Sequence, residues 1–247
     1  MNIRTTTLLF SIVALNAQPV HAAENTLTAA EKSAGWQLLF DGHSFAGWRG
    51  YRLKGVPPVG WKIDDGAIKT VPSGRYVVLP DPKVQGVELI TEKKFTDYDL
   101  SWEWRIAPGG NNGIKFMVTE DRPQAPGPEY QMLDDAGDAH RAWRGEVHRT
   151  AAFYDVVPPA ADKPMKKPGE WNVSRIVVEG NRVEHWLNSK KVLTYELGSE
   201  QVKAGLQRSK FKDEPGFGEK ITGHILLTYQ PHECWYRNIK IRPLNRP

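Results

Sequence analysis

Cysteine is almost absent: Cys234 is the single one among 247 residues, so no disulfide can form within the chain and a packed core must hold it together. Charge of one sign is scarce too. The 33 Lys and Arg stand against 29 Asp and Glu, a formal charge of +4, which gives no support for binding nucleic acid. Long apolar runs are missing. The one candidate, residues 8–15, is far shorter than the ~20 residues a membrane-spanning helix needs, so no membrane span is expected. Convincing helical periodicity is lacking as well. Only residues 24–34, with Thr28, Ala29, Ala30 and Glu31, suggest a short amphipathic helix.

The first residues have a pattern of their own. Met1-Asn2-Ile3-Arg4, the apolar run and Val20-His21-Ala22 before Ala23 make a secretory signal peptide spanning residues 1–22. The expectation is an exported protein, periplasmic or secreted, that begins near Ala23. Cleavage removes only Arg4 among the charges and lowers the net charge from +4 to +3. Residues 23–247 show neither an internal repeat nor a break in composition, and one domain is expected there.

What the chain has in quantity is short alternating segments punctuated by turn formers. Trp61-Lys62-Ile63-Asp64 and Ala67-Ile68 flank Asp65-Gly66. Residues 173–179 and 182–188 flank Gly180-Asn181, the pattern of a hairpin with a two-residue turn. Residues 87–91, 98–106, 151–155, 221–230 and 234–242 read as further strands. Residues 157–168 are a proline-bearing loop that no central strand could accommodate, and residues 200–220 read as an exposed loop. The fold class is all-β, and a two-sheet antiparallel β-sandwich buries that many half-apolar strands economically. Cys234, inside the last strand, reads as a buried and inert thiol.

Residues 99–135 concentrate the chemistry. Leu100, Trp102, Trp104 and Ile106 alternate with Ser101, Glu103 and Arg105, so Glu103 and Arg105 share a polar face. The turn formers Pro108-Gly109-Gly110-Asn111-Asn112-Gly113 then suggest a hairpin into a strand over residues 114–119. A third strand, 129–133, places Glu129 and Gln131 on one face, with Asp134 and Asp135 at its end. These polar groups are expected to converge on one concavity.

Several motifs resemble one family. Leu39-Phe40-Asp41-Gly42 with residues 45–48, Tyr98-Asp99-Leu100 with 103–105, Asn111-Asn112-Gly113-Ile114, Gly127-Pro128-Glu129-Tyr130-Gln131 with Leu133-Asp134, Gly169-Glu170-Trp171-Asn172, and Arg237-Asn238-Ile239 occur in order. Together they resemble the 3-keto-disaccharide hydrolase family across almost all of residues 23–247. The resemblance implies a jelly-roll sandwich similar to concanavalin A-like lectins and glucanases, with a sugar site on its concave face. It also implies cleavage of glycosides already oxidised to a ketone at carbon 3. The chain departs from the family pattern at Tyr229-Gln230-Pro231, where many relatives carry Asp-His-Gly, and at Asn111-Asn112-Gly113 in place of Asn-Ser-Gly.

A 3-keto sugar has an acidified proton on carbon 2, so a base can remove it, the aglycone can leave carbon 1 by β-elimination, and water can add back. The site then needs a base, a group that holds the enolate, and an acid. The candidate catalytic residues are Glu129, Asp134, His140 and Arg105. Candidate substrate contacts are Glu103, Asn111, Asn112, Gln131, Trp143 and Trp171, the two tryptophans by stacking on a sugar face. Glu129, Asp134 and His140 also form a mixed oxygen and nitrogen set for one divalent metal ion, although their spacing matches no diagnostic motif; His148 is a further candidate ligand. No organic cofactor is expected. Two other functions fit the same residues: a noncatalytic lectin-like module, since fold does not decide function, and an ordinary glycosidase with two opposed carboxylates. The expected partner is a carbohydrate in every case.

Overall fold

The computed structural model describes residues 24–72, 87–122, 126–137 and 145–244. The signal-peptide assignment, His140 and Trp143 lie outside the described residues. Among those described, no helix is long and apolar enough to cross a membrane.

The chain opens with α1 (Ala29–Ser33), whose start is fixed by a capping box: the Thr28 hydroxyl accepts from Glu31 N–H while the Glu31 carboxylate accepts from Thr28 N–H. Among the described residues thirteen strands follow: β1 (Gln37–Leu38), β2 (Trp48–Gly50), β3 (Trp61–Asp64), β4 (Ala67–Thr70), β5 (Leu89–Thr91), β6 (Tyr98–Ile106), β7 (Asn111–Val118), β8 (Glu129–Leu133), β9 (Asn172–Glu179), β10 (Arg182–Leu187), β11 (Lys190–Glu196), β12 (His224–Leu227) and β13 (Cys234–Pro243). A larger sheet runs β11-β10-β9-β6-β13-β4-β3, with β1 also paired to β13, and a smaller one runs β2-β5-β12-β7-β8. Every strand pairing is antiparallel. This is the all-β, two-sheet antiparallel sandwich that strand alternation called for, and the fold that the family resemblance implied.

The core lies between the sheets. Trp102 and Trp104 of β6 meet Tyr130 and Met132 of β8, all fully buried, and the Trp102 and Tyr130 rings stand edge to face 5.0 Å apart. Their polar atoms are satisfied in series. Trp104 Nε1 donates to Ser174 Oγ, which donates to the Tyr130 hydroxyl, which donates to the Trp186 carbonyl. Cys234 is buried and unpaired, and burial pushes its thiol well above the usual range, as an inert core thiol requires.

Three local readings are corrected. Residues 98–119 do not form a hairpin: β6 belongs to the larger sheet and β7 to the smaller. The turn formers at residues 107–110 carry the chain across the sandwich edge. Gly109 N–H donates to Asp134 Oδ2 and Asp134 N–H to the Gly110 carbonyl, which pins that crossing to the end of β8. Residues 151–155 are a turn-rich segment in which Phe153 makes only isolated bridges to Tyr130 and Val157. Residues 200–220 begin with a helix, α2 (Glu200–Leu206), capped by Ser199 and docked through buried Val202 and Gly205. Two turns held by tertiary packing leave too short a period to read.

Candidate active site

In a two-sheet sandwich, residues that alternate with core residues must face away from the core on their own side. Glu129 and Gln131 alternate with Tyr130 and Met132, so they lie on the outer face of the smaller sheet. Glu103 and Arg105 alternate with Trp102 and Trp104, so they lie on the outer face of the larger sheet. The expected convergence of these four residues is therefore corrected: the core separates Arg105 from Glu129.

The outer face of the larger sheet carries its own network. The Arg105 guanidinium lies 5.0 Å from the Trp171 ring centre and 4.6 Å from that of Trp235. Arg237 covers Trp171 at 4.0 Å and donates to Glu103, which also accepts from Asn238. These are packing and charge-pairing roles on one continuous face. Glu103, Arg105 and Trp171 thus leave the candidate site.

A cavity of about 420 Å³ lies on the outer face of the smaller sheet. Its floor includes Asn111 and Lys115 of β7, Glu129 and Gln131 of β8, and Thr228 just after β12. Gln131 Nε2 donates to Asn111 Oδ1 over 2.9 Å, and Lys115 stands directly opposite Glu129 in the strand register. Gly113 makes room for the central carboxylate. A β-carbon there would stand 3.0 Å from both Cγ and Cδ of Glu129, so glycine lets the Glu129 side chain lie flat along the sheet. Asn112 sits one position out of phase and fully buried. Its Oδ1 accepts from Thr228 Oγ1, which organises the floor from beneath.

Glu88, just before β5, lines the same cavity; its Oε2 is buried and has no hydrogen-bond partner among the described residues. Burial raises the Glu88 carboxyl above its usual range, and the nearby Lys115 ammonium only partly offsets this. The far wall is built by Tyr154, Lys210, Phe211 and Glu214. Asp155 holds that wall: one of its oxygens is 2.7 Å from His148 Nε2, and the other accepts from Ser209 Oγ and Lys210 N–H.

Asp134 is not in the cavity. Its oxygens accept from Gly109 N–H at 2.8 Å and Gly137 N–H at 3.1 Å, which makes it the clasp of the crossing loop. His148 is engaged with Asp155. Of the metal set, Glu129 and Asp134 are described and His140 is not; among the described residues there is no group of three or more His, Cys, Asp or Glu able to hold an ion. Of the two described members of that set, Glu129 lines the cavity and Asp134 does not, and no step below passes through a metal.

Glu88 and Lys115 escaped the sequence reading although a signal existed. Each alternates with apolar neighbours, Glu88 with Val87 and Leu89, Lys115 with Ile114 and Phe116. The wall at residues 210–214 gave no periodic signal.

Residues 35–242 match the family model of the 3-keto-alpha-glucoside-1,2-lyase-like domain. The chain belongs to this family. A 3-keto-disaccharide hydrolase of Bacteroides thetaiotaomicron is similar to it, 32% identical over 93% of this chain and 86% of the relative. A solved structure from Parabacteroides distasonis, provisionally named a glycosyl hydrolase, superposes with a TM-score of 0.77 at 28% identity, over 90% of this chain and 100% of that one. A second structure from the same organism, with the same provisional name, gives 0.61 at 22% identity over 85% and 99%, and shows the shared fold. For a 3-keto-alpha-glucoside-1,2-lyase-like domain, the departure at Tyr229-Gln230-Pro231 falls on the site itself, because Gln230 lines the cavity.

Proposed function

We propose that the protein cleaves 3-keto-glycosides, including 3-keto-disaccharides, by β-elimination followed by hydration, with Glu129 as the base. The family and its hydrolase relative support a glycoside-hydrolase-like, carbohydrate-active enzyme. The observation that carries the finer reading is the Glu129 carboxylate, laid across Gly113 opposite Lys115 on the cavity floor.

With the keto-sugar ring over that floor, Glu129 takes the proton from carbon 2 and electrons move onto the carbonyl oxygen at carbon 3. Lys115 is the cation beside Glu129 on the floor, and it stabilises the oxyanion; the Gln131 amide adds a neutral donor. The enolate then re-forms the carbonyl as a carbon 1 to carbon 2 double bond forms and the bond from carbon 1 to the aglycone oxygen breaks. Water adds to carbon 1, the Glu129 carboxyl exchanges the abstracted proton with solvent and then delivers a solvent-derived proton to carbon 2, and the net change is one water consumed per glycosidic bond. At the far wall, Lys210 Nζ lies over the Tyr154 and Phe211 rings at 4.7 and 5.0 Å, so this wall meets the ring or the aglycone with a cation backed by aromatic rings.

Turnover of a 3-keto-glycoside and of its unoxidised parent by wild type and by Glu129→Gln tests this reading. The expected result is turnover of the keto substrate alone, reduced ~10²–10⁴-fold in the variant. Equal cleavage of both glycosides would favour an ordinary glycosidase, and binding without turnover a lectin-like module. Export rests on the pattern of residues 1–22, and intact mass of protein from the native cell envelope should show a chain beginning near Ala23.

A further inference from the structure

The cavity holds a second carboxyl group whose position the base chemistry does not use. Glu88 lies on β5's outer-face register, two strands away from Lys115 in the sheet order β5-β12-β7. A carboxyl oxygen that is buried, unpartnered and part of a cavity wall is a costly arrangement if the group serves only the fold. It is an economical one if the missing partner is a substrate atom.

We propose that Glu88 is the acid that protonates the departing aglycone oxygen. This assignment rests on the β-elimination reading of the same cavity. As the bond from carbon 1 to the aglycone oxygen breaks, the Glu88 O–H donates its proton to that oxygen and an alcohol leaves. The Glu88 carboxylate then accepts a proton from the water that adds to carbon 1, so the acid is regenerated without any outside reagent. The division of labour follows from surroundings. Burial raises the Glu88 carboxyl above its usual range, the direction a proton donor needs, whereas Glu129 stands opposite a lysine ammonium. The charged groups that face Glu88 across the cavity are Lys115, Glu129, Lys210 and Glu214. Of these, Lys115 acts on it against burial and does not overcome it.

The test is the Glu88→Gln variant on two 3-keto-glucosides that differ only in the aglycone. A nitrophenol leaves without help and an alkyl alcohol does not. The expected result is a loss of ~10²–10⁴-fold in kcat/KM on the alkyl glucoside and less than ~10-fold on the nitrophenyl one, together with loss of the basic limb of the pH profile. Activity retained on the nitrophenyl substrate also shows that the variant is folded and its base intact. Equal losses on the two substrates, or wild-type rates on the alkyl glucoside, would overturn the assignment of Glu88 while leaving the β-elimination reading in place. A wild-type protein that turns over neither 3-keto-glucoside would overturn both.

Discussion

Gly113→Ala isolates the position of the Glu129 carboxylate from its chemistry. The backbone at Gly113 is not in the left-handed region, so alanine is tolerated there. Removing a strand glycine is worth ~0.5–1 kcal/mol in favour of the fold before any contact is counted. The new β-carbon would stand 3.0 Å from Cγ and Cδ of Glu129, and closer still to Oε1, where ordinary contact begins at 3.4 Å. The flexible end of the glutamate must therefore swing off the floor by ~1 Å, a misplacement of the size that costs ~10²-fold in rate. Stability should stay within ~1 kcal/mol of wild type, since the displaced atoms end a side chain that can turn toward the cavity. Steady-state turnover of a 3-keto-glycoside, with a melting curve alongside, reads both quantities. The expected outcome is an unchanged melting temperature and a kcat lowered ~10²-fold with little change in KM. Wild-type kcat in a variant shown to carry alanine would mean that the Glu129 position does not matter to the reaction.

Other residues should respond differently. Asp134→Asn weakens two hydrogen bonds to backbone amides, one in the loop joining the sheets and one in the turn after β8, so chemical denaturation should show a loss of ~1–3 kcal/mol, with specific activity of the folded fraction retained. Arg105→Ala removes a cation from between two tryptophan rings on the far side of the sandwich; it should cost ~1–2 kcal/mol and leave kcat/KM within ~2-fold of wild type, as a kinetic comparison will show. His185 is fully buried, and burial lowers its pKa to about 4. The unfolded chain binds that proton near 6.5, so stability is intact above pH 6.5 and falls as pH drops toward 4, by on the order of 3 kcal/mol from this group. NMR titration should find its imidazole neutral at pH 5, and titration near 6.5 would contradict this.

The strand pattern was legible because strands such as β6, β9 and β10 alternate against one core, and the polar faces of β6 and β8 could be read residue by residue. The partnership between those faces could not. Turn formers at residues 107–110 serve a hairpin and a crossing between sheets equally well, and only the Asp134 clasp, 24 residues away, decides for the crossing. Once β6 and β8 are assigned to different sheets, alternation alone puts Arg105 and Glu129 on opposite outer faces. Glu129, Gln131 and Asn111 were readable because they sit on one paired strand unit. Glu88 carried the same alternation, with Val87 and Leu89, but nothing in the chain tied it to β8; Lys210 and Phe211 were not readable, since they reach the cavity from a loop held by Asp155, contacts that leave no spacing in the chain.

Proton abstraction at carbon 2 is the central claim, and cleavage of a 3-keto-disaccharide in D₂O, followed by NMR against substrate and product incubated without enzyme, tests it most directly. The account predicts one solvent deuterium at carbon 2 of the released keto-sugar for each bond cleaved, and loss of both cleavage and exchange in Glu129→Gln. Release of a keto-sugar that retains its original hydrogen at carbon 2 would contradict it.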